Sequence, residues 1–286
     1  MSQSFPISVA DAQQGLLEYL GELSGCVVAY SGGVDSAVVA KAAQLALGER
    51  ALAVTGVSAS LAAGELDTAQ RIAASIGIRH ETLHTDELAD VGYLKNEPTR
   101  CWHCKNELYS QIRRLAVQRG FAAIANGTNI DDLGDFRPGL QAAEEHGVVS
   151  PLVACGVNKQ KVRELAQAWG LEVWDKPASP CLSSRVVYGL DITPERLARI
   201  DAAEAFLREL GFSSVRVRCH QDELARLEVD ANEVARLAEP HQRTAIANRL
   251  REIGFRYVTV DLEGFRSGSF TQLVSVDQLT LSCSKD

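Results

Sequence analysis

Six consecutive residues, Ser31-Gly32-Gly33-Val34-Asp35-Ser36, combine the side chains and the backbone freedom needed to hold a phosphate. They follow the short apolar run Cys26-Val27-Val28-Ala29-Tyr30 and lead into a helix-like segment from Ser36 to Leu47. A strand that delivers the chain into such a loop lets consecutive N–H groups converge on an anion, because glycine permits torsions and close approach that bulkier residues block. The helix that follows turns its positive end toward the same point. Ser31 and Ser36 add hydroxyl donors, and Asp35 is placed to hold Mg²⁺ beside the phosphates. The Walker A alternative fails, since its Gly-Lys-Ser/Thr ending is missing. A plain Gly-Gly turn is the bland reading of the same residues.

The second chemical signal is sulfur. Cys101-Trp102-His103-Cys104 has the spacing of metal ligands or of a dithiol redox pair. Zinc would need two further ligands. A thioredoxin-like pair should open a helix directly after a strand, whereas Tyr93 to Arg100 reads as loop. Cys181 lies in Lys176-Pro177-Ala178-Ser179-Pro180-Cys181-Leu182-Ser183-Ser184-Arg185, too rich in proline and serine for a helix interior. Its hydroxyl neighbours and Arg185 favour the thiolate, the reactive and metal-binding form. Cys26 and Cys155 sit in apolar contexts and read as packing residues; Cys219 and Cys283 have no evident partner.

These residues need a scaffold. Ile7 to Gly25 carries apolar residues at helical spacing, Ala51 to Val57 reads as a buried strand, Gly64 to Ile76 as a helix, Lys105 to Arg119 as a helix and Phe121 to Ala125 as a strand. Buried strands alternating with helices predict a parallel sheet covered on both faces. Ala125-Asn126-Gly127-Thr128-Asn129-Ile130-Asp131-Asp132 then leaves the carboxyl edge of that sheet, where ligands of open α/β sheets bind. A helix N-cap is the alternative for this stretch. After a linker near Gly189 to Thr193 the order changes: helix to Leu210, strand-like Val215-Arg216-Val217-Arg218, helices around Asn232 to Leu237 and His241 to Ile253, and the strand Tyr257 to Asp261. This predicts a smaller α+β domain. Arg216 and Arg218 alternate on their strand and can grip one phosphate or form a solvated face. The tail beyond Phe270 carries little functional signal.

At 286 residues the chain is long enough for one large and one smaller domain. Its net charge of −8 disfavours nucleic acid, whose binding requires cations to replace condensed counterions. No apolar run approaches the roughly 20 residues that span a bilayer, and no signal-peptide pattern opens the chain, so a cytoplasmic location is expected. In that compartment the seven cysteines read as thiols or metal ligands rather than disulfides.

The Ser-Gly-Gly-x-Asp-Ser loop resembles the signature of the PP-loop ATP pyrophosphatases. Together with Arg100-Cys101, Cys104-Lys105, Asn126 to Asn129, Ser150-Pro151-Leu152, Pro180 to Arg185 and Val215 to Arg218, it makes nearly the whole chain similar to the LarE family of sulfur-insertion enzymes. The resemblance implies residues 1–190 as an ATP-binding, adenylating domain and 191–286 as a smaller α+β domain for substrate phosphate and oligomerisation. It implies ATP with Mg²⁺ on Ser31, Gly32, Gly33, Asp35, Ser36, Gly127, Thr128 and Asp131, with Arg185 counted alongside, and catalysis by Cys181, Asp35 and Ser36. The implied substrate is a small mononucleotide, pyridinium-3,5-biscarboxylic acid mononucleotide, gripped by Arg216 and Arg218, with Glu228, Glu204 and Trp102 near the pocket. Its carboxylate would be adenylated and converted to a thiocarboxylate. Sulfur would come from a 4Fe-4S cluster on Cys101, Cys104 and Cys181, or from Cys181 itself. A homo-oligomer, a hexamer in the family, is expected, with no nucleic acid or membrane partner. Other PP-loop readings are a tRNA-thiolating or amidating enzyme; a non-enzymatic adenine-nucleotide binder is the third.

Overall fold

The computed structural model describes residues 7–134 and 138–266. Helix α1 (Val9–Gly21) is started by Ser8, whose hydroxyl accepts from the Asp11 amide, and leads to strand β1 (Cys26–Ala29). Then come α2 (Val34–Leu47), β2 (Ala51–Val57), α3 (Glu65–Ile76) and β3 (Arg79–His84). The short α4 (Val91–Leu94) precedes α5 (Arg100–Arg119), β4 (Ala123–Ala125), α6 (Pro138–Glu145), α7 (Pro151–Ala154) and α8 (Lys159–Ala168). The last described elements are α9 (Pro194–Glu209), β5 (Arg216–His220), β6 (Leu224–Glu228), α10 (Val234–Leu237), α11 (Pro240–Ile253) and β7 (Tyr257–Val260).

The chain divides into two units. The first holds the described residues up to Ser58, Gly64–Glu87 and Cys101–Ser179; the second holds Ala59–Ala63, Leu88–Arg100 and the described residues from Pro180 onward.

The first unit is the expected α/β layer structure. Its four strands lie in the order β3-β2-β1-β4, all parallel. Successive strand side chains face opposite ways, so Cys26 and Val28 enter a core with Leu16, Val38, Ile72 and Leu165. Val27 enters another with Tyr109, Ile112 and Ala142. The chain runs from β1 outward through β2 to β3 and then returns to place β4 on the other flank of β1. The carboxyl ends of β1 and β4 therefore border the point where the winding reverses, the usual crevice for a ligand in such sheets.

The second unit carries a three-stranded sheet, β5-β6-β7. β5 and β6 form an antiparallel hairpin, and β6 pairs in parallel with β7 after the α10–α11 crossover. Thr193 caps α9, with Pro194 in its first turn, and Gly254 at φ 116° ends α11.

Seven elements depart from the sequence-based expectation. α5 begins at Arg100, five residues before the expected Lys105, and α4 replaces part of the expected loop. β3, α6, α7, α8 and β6 were not anticipated. β3 is Arg-His-Glu-Thr-Leu-His at a sheet edge and lacks an apolar pattern because only β2 pairs with it. Cys283 and the tail after Phe270 lie outside the described residues. No helix among the described residues is long and apolar enough to cross a membrane.

Candidate active site

The loop after β1 is held in shape by its own serines. Ser36 Oγ accepts from the Ser31 amide at 3.2 Å and donates to the Gly33 carbonyl at 3.1 Å. Ser31 Oγ lies 3.1 Å from Ser36 Oγ and accepts from the Gly33 amide at 3.3 Å. Gly32 takes φ 71°, a left-handed conformation, and a Cβ there would stand 2.8 Å from Ala69 Cα. Glycine is thus required twice over at this position. Gly33 caps α2 with no side-chain bond, and the amides that follow have no intrahelical partner by the geometry of a helix start. Those amides and the helix dipole face the open end of β1.

The loop after β4 packs onto the same helix end. A Cβ on Gly127 would lie 2.7 Å from the Ser36 nitrogen and 3.0 Å from the Asp35 carbonyl carbon. Asn126 shapes the turn: its Oδ1 accepts from the Thr128 amide at 3.0 Å and from Ser150 Oγ at 2.9 Å. Asn129 forms a capping box with Asp132 and donates from Nδ2 to Asp35 Oδ1 at 3.1 Å. Asp131 Oδ2 accepts from the Lys159 amide at 2.9 Å, and Lys159 Nζ lies 2.5 Å from Asp35 Oδ2. The structure therefore brings together Ser31, Gly32, Gly33, Asp35, Ser36, Gly127, Thr128 and Asp131. It adds Asn129 and Lys159, which sequence reasoning did not select as site residues. A signal for Lys159 was present. Asn158 accepts from the Lys161 amide as the cap of α8, which puts a lysine at the first helical position, where the helix dipole disfavours a cation.

The cysteine pair also belongs to the first unit. Cys101 and Cys104 lie one turn apart at the start of α5, and residues three apart share a helix face. Cys101 is exposed and Cys104 half-buried. The pair does open a helix, but α4 and a loop precede it rather than a strand, so only half of the redox-pair geometry is met. Trp102 donates from Nε1 to Glu145 Oε2 at 3.0 Å. Cys26 is fully buried, and burial pushes its thiol up to about 12, which suits a packing residue; burial also raises Cys155.

Cys181 belongs to the second unit. It is exposed and precedes a single 3-10 turn, Leu182–Arg185. Its carbonyl accepts from Ser184 Oγ at 2.7 Å and from Arg185 Nη1 at 2.9 Å, and Arg185 also bonds the Pro180 carbonyl. Arg185 is buried, and its Nε meets Glu204 Oε1 at 2.9 Å. Its donors are thus engaged in fixing the Cys181 loop. Glu204 also accepts from the Val217 amide at 3.1 Å and from Arg208 at 2.7 Å.

Arg218 is buried against Glu228, Nη2 to Oε2 at 2.7 Å, and donates to the Ser184 carbonyl at 3.0 Å. Arg226 reaches the other Glu228 oxygen at 3.0 Å. Arg216 stacks on Phe265, 5.1 Å from the ring centre. Desolvation, then the charges of Arg185 and Arg218, pull its pKa down to about 10. Neither Glu204 nor Glu228 is a solvated charge; both are fully buried. Cys219 is buried on β5 and its thiol is raised to about 11, first by desolvation and then by Glu223.

Among the described residues no group of three or more histidine, cysteine, aspartate or glutamate side chains is gathered as a metal site. Within the first unit, Cys101 and Cys104 offer two thiols on one helix face, and sulfur is the ligand iron–sulfur clusters take.

Comparison with known proteins agrees with this architecture. The NAD synthase family model matches residues 9–120. An uncharacterized protein of Synechocystis is 44% identical over 262 residues, covering 92% of this chain and 97% of the relative. The pyridinium-3,5-bisthiocarboxylic acid mononucleotide synthase of Lactiplantibacillus plantarum is 37% identical over 273 residues, 95% of this chain and 98% of the relative. A tRNA-specific 2-thiouridylase of Rickettsia felis is 30% identical over 195 residues, 54% of this chain and 53% of the relative. Similarity that runs almost end to end, over both units, is thus to the mononucleotide synthase, and the chain belongs to the pyridinium-3,5-bisthiocarboxylic acid mononucleotide synthase (LarE) family.

Proposed function

We propose that this protein is an ATP-dependent sulfur transferase that adenylates a carboxylate of pyridinium-3,5-biscarboxylic acid mononucleotide and replaces one of its oxygens with sulfur. The observation that carries the reading is a phosphate-shaped loop in a chain that also displays an exposed cysteine on a clamped loop. A carboxylate resists attack by sulfur because its leaving group is poor. ATP remedies this: a carboxylate oxygen attacks the α-phosphorus, the bond to the bridging oxygen breaks, and pyrophosphate departs with the electron pair. A sulfur nucleophile then adds to the acyl carbon and AMP leaves. The loop's contribution is positioning and charge stabilisation, which dominate phosphoryl-type transfers. Ser31, Gly32, Gly33 and Ser36 take the phosphates, Asp35 and Asp131 face the accompanying Mg²⁺, and Gly127 and Thr128 form the opposing wall. In the second unit, Arg216 and Arg218 lie in a region already dense in guanidinium groups and suit the substrate phosphate, with Glu228 fixing Arg218 and Glu204 fixing Arg185. Trp102 is assigned to the same substrate, and assembly into a homo-oligomer in the cytoplasm completes the reading.

Cys101, Cys104 and Cys181 would hold a 4Fe-4S cluster. With three protein thiolates, such a cluster supplies one iron free to carry an extra sulfide. The competing source is the Cys181 sulfur, lost with conversion of the residue to dehydroalanine. The test is anaerobic purification with iron and sulfide analysis, for the wild type and for Cys101→Ala, Cys104→Ala and Cys181→Ala. About four irons per chain, lost in each variant, is the expected result. An iron-free protein after reconstitution, with dehydroalanine at Cys181 after turnover, would move the sulfur source to Cys181.

The nucleotide part has a separate test. Gly127→Ala forces a methyl against the start of α2. ATP affinity, measured by equilibrium dialysis, should fall at least about tenfold, equivalent to about 1.4 kcal/mol. Unchanged affinity would remove the β4 loop from the nucleotide site.

A further inference from the structure

The turn that follows Cys181 is held by three buried side chains of the same unit, Tyr93, Asn96 and Arg100. Asn96 follows α4 in the left-handed conformation, φ 53°, which asparagine tolerates better than most residues. It is fully buried, and its Nδ2 donates to the Val187 carbonyl at 2.9 Å, the Leu190 carbonyl at 3.1 Å and the Val186 carbonyl at 3.3 Å. Its own carbonyl accepts from the Gly189 amide at 3.1 Å. These bonds satisfy backbone groups of an irregular stretch that no helix pairs. Arg100 Nη1 donates to Asn96 Oδ1 at 2.6 Å and to the Ser183 carbonyl at 2.8 Å, and its guanidinium carbon lies 5.6 Å from the centre of the Tyr188 ring. Tyr93 Oη lies 2.6 Å from Ser183 Oγ. Ser183 is fully buried and is therefore gripped at both its carbonyl and its hydroxyl.

We propose that Arg100 is a positioning residue for sulfur transfer: it sets the Cys181 thiol by fixing the Ser183 carbonyl two residues on, with Asn96 orienting the arginine and Tyr93 holding the same turn. The proposal rests on the reading of Cys181 as the point from which sulfur is delivered. What a buried guanidinium adds over an apolar side chain of the same length is a rigid planar fork that keeps its acceptors in one geometry. The turn is thereby fixed on both sides of the cysteine. Arg185 holds the Pro180 and Cys181 carbonyls, Arg100 holds Ser183, and the Leu182 amide donates to the Ser60 carbonyl at 2.8 Å. Cys181 is exposed while Leu182 and Ser183 beside it are buried, so the thiol projects from a backbone tied at each neighbouring residue. A displacement of about 1 Å in a reacting group can cost about 100-fold in rate, so a lost anchor acts on sulfur transfer first. Adenylation has no such dependence, because the Ser31–Ser36 loop lies in the other unit and is held by its own hydrogen bonds.

The test uses Arg100→Met, which keeps length without donors, and Tyr93→Phe, which loses one hydroxyl on Ser183 and does not adjoin Cys101. Thiocarboxylate is measured by mass spectrometry and pyrophosphate by a coupled assay on the same sample. Hydrogen exchange is followed in peptides spanning residues 181–187 and in the β1–β4 sheet. In Arg100→Met the pyrophosphate released per thiocarboxylate formed should rise at least about tenfold, with pyrophosphate release itself within about threefold of wild type. Tyr93→Phe should raise the same ratio by about threefold. In both variants exchange should quicken at residues 181–187 and stay unchanged in the sheet, a pattern that general destabilisation does not give. A wild-type ratio in Arg100→Met would overturn the proposal, as would a parallel loss of both activities with faster exchange throughout. Should Arg100→Met fail to fold, an unchanged ratio in Tyr93→Phe would overturn it alone. If the wild type formed no thiocarboxylate, the proposed function would fall. The exchange comparison would still decide whether Arg100 and Tyr93 hold the Cys181 turn.

Discussion

Cys181→Ala is expected to reduce thiocarboxylate formation by at least about 100-fold while substrate-dependent pyrophosphate release stays within about threefold of wild type. Both proposed sulfur sources run through this thiol, as ligand or as donor, so neither survives its removal. The residues proposed for adenylation, Ser31 to Ser36 and Gly127, belong to the other unit, and the Ser31–Ser36 loop is held by its own hydrogen bonds. The backbone at Cys181 does not depend on the thiol either. Its carbonyl is fixed by Ser184 and Arg185, Leu182 donates to the Ser60 carbonyl at 2.8 Å, and the cysteine makes no side-chain cap bond. The substitution should therefore remove sulfur without moving the loop. Mass spectrometry of the product and a coupled pyrophosphate assay on the same sample check both halves. Wild-type thiocarboxylate yield from Cys181→Ala would rule out Cys181 in either role. Loss of both activities together would mean that Cys181 also serves the adenylation step.

The parts of this protein that sequence reveals are those whose chemistry is contiguous. β1, its glycine loop and α2 are readable because the strand is wholly apolar, the glycines sit where a side chain would clash or the backbone turns left-handed, and the amides offered to an anion are neighbours in sequence. The β4 loop is readable for the same reason. Lys159 was missed because its meaning depends on Asp35, more than a hundred positions away, and on the helix start that Asn158 creates. The extra turn of α5 was missed because Arg100-Cys101-Trp102-His103 lacks an apolar stripe. β6 was missed because its buried residues include Glu228, on the face opposite Ala225 and Leu227. By residue type a glutamate belongs on the surface. It is buried here only because the hairpin register sets Arg216 opposite Glu228 and Arg218 opposite Arg226, so that the arginines beside Glu228 neutralise it. Burial that depends on a partner across a hairpin is not recorded in the local pattern.

The same argument makes Glu204 the most consequential residue for stability in the second unit. Glu204→Ala should destabilise the protein by about 3–5 kcal/mol, the cost of leaving a buried charge without its partner. Glu204 is fully buried and accepts four hydrogen bonds, two from Arg185, one from Arg208 and one from the Val217 amide. Its removal strands the Arg185 guanidinium, whose side chain is only 1% exposed, beside other arginines that already depress Arg216. It also removes the acceptor of a buried strand amide. For a unit of this size the melting temperature should drop by roughly 12 °C or more. Denaturant unfolding and calorimetry measure the loss, and a change under about 1 kcal/mol would show that the pair contributes little. The double variant Arg185→Met/Glu204→Leu separates stability from chemistry. With both charges replaced by apolar groups of similar size, most of the stability should return, since a buried ion pair is often no better than an apolar one. Sulfur transfer should not return, because the Pro180 and Cys181 carbonyls would still lack the guanidinium that fixes them. Recovery of stability together with full sulfur transfer would show that the loop positions Cys181 without Arg185, and that the buried pair is a packing feature alone.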